Sequence, residues 1–178
     1  MEDFVKEILF TEAQISQRVQ ELGSAISRDY AGEELVVICV LKGAMPFTSD
    51  LIRQIRGVSV ILDAMVVQSY DGTTSTGQIN VKLDCRTELA GKNVLVVDDI
   101  TDTGITLKSL CDLLAQRSPK TLKSCAFLDK PSRRQVDFAP DYTGYAIPDA
   151  FVIGYGLDYN GLYRQLPYVA VIKESYIH

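Results

Sequence analysis

Asp98, Asp99, Asp102, Thr103, Gly104 and Thr106 crowd into one short stretch of this chain, VLVVDDITDTGIT. Val94 to Val97, which precede them, form a continuous apolar run that reads as a buried parallel strand. Leu107, Leu110, Leu113 and Leu114, which follow, recur at the spacing of a helix's inner face. Carboxylates and a Thr/Gly turn at the carboxyl end of a buried strand sit where open α/β sheets bind ligands. Backbone N–H groups and hydroxyls at a helix N-terminus suit a phosphate. The acids suit a divalent cation or the hydroxyls of a sugar. The combination points to a phosphorylated sugar bound with magnesium.

Composition narrows the remaining chemistry. The chain has one histidine, His178, its last residue. That removes histidine-dependent triads and weighs against a conventional zinc site, so proton transfer must rest on carboxylates, lysines or tyrosines. Cys39, Cys85, Cys111 and Cys125 contain no C-x-x-C pair, and three of them fall in apolar patterns. They are expected to be free thiols in a reducing cytoplasm. A net charge of −5 argues against a broad nucleic-acid surface. It leaves room for an anionic substrate, because Mg²⁺ bridges carboxylates and phosphates. The start, MEDFVKEILF, lacks the apolar core of a signal, and no run approaches the roughly 20 apolar residues of a membrane span.

Elements must position these groups. Thr11 followed by Gln14 resembles a capping box, and Ile15, Val19, Leu22 and Ile26 predict a helix from about Glu12 to Tyr30. Leu35–Leu41 reads as a buried strand, Lys42–Ala44 as a turn, and Pro46 as the opening of a helix with Phe47, Leu51, Ile52 and Ile55 inward. Val58–Tyr70 reads as a long strand, Asp71–Gly77 as a mobile loop, and Asn80–Leu83 as a short strand returning from it. The helix after the acidic turn is expected to end near Arg117. Leu122–Leu128, Phe151–Tyr155 and Val169–Ile172 read as strands, with Asp129–Asp149 irregular between the first two. Strands alternating with helices predict an α/β class with a mostly parallel twisted sheet flanked by helices, as one domain.

There is no G-x-x-x-x-G-K-[ST] and no G-x-G-x-x-G, so neither a Walker loop nor a dinucleotide fingerprint is present. The acidic motif does resemble the ribose-phosphate signature of the phosphoribosyltransferases. VLKGA at Val40–Ala44 is similar to that family's pyrophosphate loop, and SYDGTTSTG at Ser69–Gly77 to its flap. LDKPSRR at Leu128–Arg134 and PDAFVIGYGLDYNGLYRQLPYV at Pro148–Val169 are similar to the purine-binding hood of the hypoxanthine-guanine branch, bacterial type. The resemblance spans nearly the whole chain. It implies a type I phosphoribosyltransferase-like fold, 1–178 as one domain, with a core over about 30–130. A small hood would form from the N-terminal segment and about 131–178, and a flap from about 69–80.

The resemblance also implies an activity: transfer of the phosphoribosyl group of 5-phosphoribosyl 1-pyrophosphate (PRPP) to hypoxanthine and guanine, with Mg²⁺. Asp102 would be the general base at purine N7, a role in competition with helix capping, which Asp also performs well. Asp98 and Asp99 would face the ribose hydroxyls. The family usually has Glu at the first of these positions, so Asp98 is one methylene short. Thr103, Gly104, Ile105 and Thr106 would cradle the 5′-phosphate. Leu41, Lys42 and Gly43, with Arg164 opposite, would hold pyrophosphate, and the Leu41–Lys42 peptide is expected to be cis or strained. Ser69 and Tyr70 would close over PRPP and exclude water. Lys130 would donate to purine O6; an ammonium has donors only and is mismatched with the amino group of adenine. Phe151 would stack on the base, unless it is plain core, and the backbone of Val152 would read the ring edge. Asp158 would sit beside the base as a metal ligand, with Asp98 and Asp99 open as further ligands.

The resemblance implies a cytoplasmic homodimer or homotetramer with no nucleic-acid or membrane partner. Two other readings compete: a guanine- or xanthine-preferring transferase, and a non-catalytic regulator that binds PRPP on the same fold.

Overall fold

The computed structural model describes residues 2–69 and 79–177. The chain enters through strand β1 (Val5–Phe10) and helix α1 (Glu12–Asp29), then β2 (Glu34–Leu41), α2 (Met45–Ile52), β3 (Ser59–Ser69) and β4 (Ile79–Leu83). It continues with β5 (Asn93–Thr101), α3 (Ile105–Ala115), β6 (Thr121–Asp129), β7 (Tyr142–Ala146), β8 (Val152–Ile153) and β9 (Val169–Ile172). Single 3₁₀ turns cover Pro131–Arg133 and Glu174–Tyr176.

Two sheets result. The larger has six strands in the order β4-β3-β2-β5-β6-β7, parallel except where β4 runs against β3. The smaller is antiparallel, β1-β9-β8. The central strands read as unbroken apolar runs because both faces are covered. Side chains alternate across the sheet. Val36, Ile38, Val94 and Val96 pack beneath Leu107, Leu110 and Leu114 of α3. Leu35, Val37, Leu95 and Val97 pack against Ile15, Val19, Leu22 and Ile26 of α1 and Phe47 and Leu51 of α2. The capping box of α1 is formed: Thr11 Oγ1 accepts from Gln14 N–H, and the Gln14 side chain accepts from Thr11 N–H at 2.9 Å. All four cysteines are free thiols. No helix among the described residues is long and apolar enough to cross a membrane.

Several expectations shift. β1 was not anticipated: of its residues only Val5 is buried, so it carries no burial pattern, and it exists by pairing with β9 far along the chain. Tyr142–Ala146 lies in the segment expected to be irregular and in the hood, yet it forms the β7 edge of the six-stranded sheet. Its short run is interrupted by Gly144, which packs against the Phe127 carbonyl. β5 runs on through Asp98 and Asp99 to Thr101, so both acids stand on the strand and not in a turn. α3 closes at Ala115, slightly before Arg117. Tyr70 and the loop Asp71–Gly77 lie outside the described residues.

Gly23 marks the closest approach of α1 to the turn after α2. A Cβ there would lie 2.4 Å from Gln54 Cβ and 3.0 Å from its carbonyl carbon. Alanine is the better helix former by about 1 kcal/mol, but overpacking costs about 1–3 kcal/mol. Gly23→Ala is therefore expected to lower the urea midpoint of unfolding despite its higher helix propensity.

Candidate active site

β2, β5 and β6 are neighbours in the large sheet, and their carboxyl ends release three turns side by side. From β2 comes Leu41–Gly43, with the Leu41–Lys42 peptide in the cis form and Lys42 exposed. From β5 come Asp98 to Thr106, and from β6 comes Lys130. Backbone bonds lock the last two turns together: Lys130 N–H donates to Thr101 O and Gln135 N–H to Thr103 O, each at 2.9 Å. Gly104 is the residue at the N-terminus of α3, with φ of 83°, and the first helical N–H, that of Ile105, donates to Thr103 Oγ1 at 3.3 Å and not to the Asp102 carboxylate. Asp102 is thus released from the capping role that competes with chemistry. Asp98, Asp102, Thr103, Gly104 and Thr106 are among the walls of a cavity of about 80 Å³.

Asp98 is buried, and its Oδ1 accepts from Asp99 N–H at 3.0 Å. Burial, reinforced by the neighbouring Asp99 charge, pushes its carboxyl well above the usual range. Asp99 is pushed up by burial as well, though the Asp98 hydrogen bond and the Arg164 guanidinium oppose this. Adjacent strand residues ordinarily face apart, but here the charge on Asp99 adds to the burial that raises the Asp98 carboxyl.

Asp99 also joins the β2 turn. A Cβ on Gly43 would fall 1.6 Å from Asp99 Oδ2 and 3.3 Å from Arg164 Nη1, so only glycine allows these groups to meet. Arg164 Nη2 pairs with Asp158 Oδ1 at 2.6 Å, and its Nη1 donates to Gly156 O at 2.6 Å. Asp158 Oδ2 accepts from Gly161 N–H at 2.8 Å. No three acids or thiols converge into a metal cage among the described residues. A larger cavity of about 640 Å³ lies behind Arg164, between α1, α2 and the loop that includes Leu166 and Pro167. Arg164 is the one predicted site residue in its wall.

At the far side, Lys130 is buried with Nζ 4.0 Å from Asp102 Oδ2 and 3.8 Å from Asp149 Oδ1. Asp102 Oδ1 is itself buried and has no hydrogen-bond partner among the described residues. Arg133 Nε approaches it within 2.8 Å, off the line of a hydrogen bond, while Arg133 Nη1 donates to Asp149 Oδ1 at 3.2 Å. Arg134 is fastened differently: Nη1 donates to Asp102 O at 2.8 Å and Nη2 pairs with Asp129. Phe151 is exposed, edge-on to Tyr159, so it is not a core residue. Val152 is buried in β8, opposite Val171. Ser69 ends β3.

An acid-rich turn at a helix N-terminus beside a Lys/Asp pair on this topology narrows the family, and comparison decides it. A model of the phosphoribosyl transferase domain matches residues 6–160. The chain belongs to the phosphoribosyltransferase family. The hypoxanthine-guanine phosphoribosyltransferase of Streptococcus pneumoniae is 42% identical over 176 residues, covering 98% of this chain and 97% of its own. A crystal structure of a hypoxanthine phosphoribosyltransferase from Staphylococcus aureus superposes with a TM-score of 0.95 at 44% identity, covering 99% of this chain and 96% of that one. The corresponding Trypanosoma cruzi enzyme gives 0.94 at 40%, covering 98% and 95%.

Within this phosphoribosyltransferase, Arg133, Arg134, Asp129 and Asp149 are the site neighbours that sequence reading passed over. The two arginines stand in the quoted LDKPSRR segment, where consecutive cations beside Lys130 were the available signal. Asp149 carried none, because its proximity depends on how residues 131–148 fold back.

Asp98 offers a test. A carboxyl whose pKa is raised on folding contributes stability below its unfolded value near 3.9 and loses it as pH climbs through the folded value. Asp98→Asn is therefore expected to raise the ligand-free melting temperature, by about 2–4 °C for each kcal/mol relieved. The gain should be larger at pH 8 than at pH 5 in thermal scans.

Proposed function

We propose that this chain is a hypoxanthine-guanine phosphoribosyltransferase of purine salvage. It transfers the phosphoribosyl group of PRPP to N9 of a 6-oxopurine, forming IMP or GMP and releasing pyrophosphate. The likeness over nearly the full length supports the reaction class. The observation that carries the base specificity is the pairing of Lys130 Nζ with Asp102 Oδ2 at 4.0 Å. One donor-only cation and one acceptor stand side by side, which suits the adjacent O6 and N7–H of hypoxanthine or guanine. Adenine would present an amino group to the ammonium, and a site built around such a bond rejects it.

Asp102 takes or shares the N7 proton as N9 attacks the anomeric carbon. Among the described residues its Oδ1 accepts no hydrogen bond and faces only the Arg133 guanidinium, which a ring N–H can replace. Phe151, already at the surface, stacks on the purine, and the Val152 backbone reads its edge. Asp98 and Asp99 accept from the ribose hydroxyls, and binding there compensates the burial that raises their pKa values in the empty site. Thr103, Gly104, Ile105 and Thr106 hold the 5′-phosphate at the start of α3. Leu41, Lys42, Gly43 and Arg164 hold pyrophosphate, and Ser69 and Tyr70 close over it. Arg164 must then leave Asp158 and Gly156 O for phosphate oxygens, a bidentate geometry that guanidinium favours.

Mg²⁺ fits this donor set. It keeps its waters and substrate phosphates and needs only one or two carboxylates, which agrees with the lack of a protein cage among the described residues. Asp158 would hold it once Arg164 is drawn away, with Asp98 and Asp99 as further candidates. The ion neutralises charge on the departing pyrophosphate. Free thiols suit a cytoplasmic enzyme. Exposed Met45, Leu62 and Leu162 leave apolar surface that a homodimer or homotetramer would cover.

A spectrophotometric assay with PRPP, Mg²⁺ and each purine tests the reading. Nucleotide should form from hypoxanthine and guanine and not from adenine; a dominant product from xanthine would favour the neighbouring specificity, and no product from any base would favour a regulator. Asp102→Ala is expected to lower kcat by about 10²–10⁴-fold, because a transition-state proton acceptor is lost, with a smaller change in the KM for PRPP.

A further inference from the structure

Two adjacent arginines approach Asp102 in different ways. Arg134 is nearly buried, paired with Asp129 and hydrogen-bonded to the Asp102 carbonyl oxygen, and its aliphatic stem fills the space over Gly104. It is a fixed part of the wall. Arg133 stands on the 3₁₀ turn with its side chain 45% exposed, and it reaches the Asp102 carboxylate itself. Its Nε lies 2.8 Å from Oδ1 without the alignment of a hydrogen bond, and its other anchor is Asp149. Lys130, buried behind it, touches the same two carboxylates only at 3.8–4.0 Å. The four charges therefore alternate in one ring of ion pairs, and only Arg133 among the two cations, being the exposed one, can leave it cheaply.

We propose that Arg133 is a latch: in the ligand-free protein it occupies the place on Asp102 that the N7–H of the purine takes, and so sets the apparent affinity for the base. This rests on the phosphoribosyl-transfer reading above. A base that enters must replace the guanidinium at Oδ1 with a donor of its own. Arg133 retains Asp149 when displaced, so its release strands no charge. Lys130 stays in place to meet O6. An exposed ion pair is weak and screened by salt, which makes the latch a filter of modest height rather than a block. A ring with no N–H at that edge gains nothing to offset the lost pair.

The sign of the effect separates a latch from a structural support, whose loss would weaken binding. At saturating PRPP, Arg133→Gln is expected to lower the hypoxanthine KM about two- to fivefold, in line with an exposed pair, while Arg133→Lys keeps the wild-type value. Raising NaCl should lower the wild-type KM toward that of Arg133→Gln and move the variant less. A KM in Arg133→Gln equal to or above wild type overturns the latch; if the wild type still forms IMP, the transferase reading stands. A wild type that forms no nucleotide overturns that reading and the latch with it.

Discussion

Parallel pairing of β2 with β5 and of β5 with β6 ends three strands at one edge, and each strand delivers a turn that a neighbour must accommodate. The register does this work. Cys39 lies opposite Val97, two residues before Leu41, while Asp98 lies opposite Ala126 and Thr101 opposite Asp129. A slip of one residue would turn every side chain over, exchanging the face that carries Asp98 with the one that carries Asp99. Full burial of Leu35–Ile38 and Val94–Val97 resists such a slip, since it would undo the side-chain packing on both faces at once. The chemistry at the edge is held by hydrocarbon well below it.

That scaffold supports a site that is poorly satisfied when empty. Asp98 and Asp99 are two acids in a place that disfavours charge, Asp102 has a buried oxygen with an ion pair but no hydrogen bond, and Lys130 is a buried cation with no carboxylate closer than 3.8 Å among the described residues. A fold selected for stability alone would remove each of these. On the proposed reading the ligand would supply the missing partners: hydroxyl donors for the acid pair, a ring N–H for Asp102 and a carbonyl for Lys130. Arg164, parked on Asp158, follows the same logic with opposite charge.

Sequence legibility tracked burial and locality. The capping box at Thr11, the buried strands and the α3 stripe were readable because each signal lies within one element. β1 was unreadable for the opposite reason, since its exposed residues become a strand only through β9. β7 was hidden by Gly144, whose lack of a side chain lets it pass the Phe127 carbonyl but breaks the apolar pattern. The resemblance to phosphoribosyltransferases supplied the candidate residues around Asp102, and the structure sets Asp99, Gly43 and Arg164 close together, although the resemblance assigns Asp99 to the ribose and the other two to pyrophosphate. Arg133 and Asp149 lie within the resembling segments, but their meeting depends on tertiary path and was not legible there.

Glycine at 43 and 156 shows how the two sheets are tied at the site. A Cβ on Gly156, whose φ is 100°, would fall 1.9 Å from the Gly43 carbonyl oxygen, so the loop after β8 rests directly on the turn after β2. Arg164 donates to the Gly156 carbonyl from the same loop, and Asp99 reaches Gly43 from β5. Backbone of two turns and the Asp99 carboxylate from β5 therefore meet where a side chain on either glycine would separate them. On the proposed reading, drawing Arg164 toward a phosphate would take the donor from the Gly156 carbonyl, and the loop that also carries Asp158 would have to adjust with it. Binding of a sugar phosphate would in this way be connected through backbone contact to the segment that carries Phe151 and Val152, the residues proposed to meet the base.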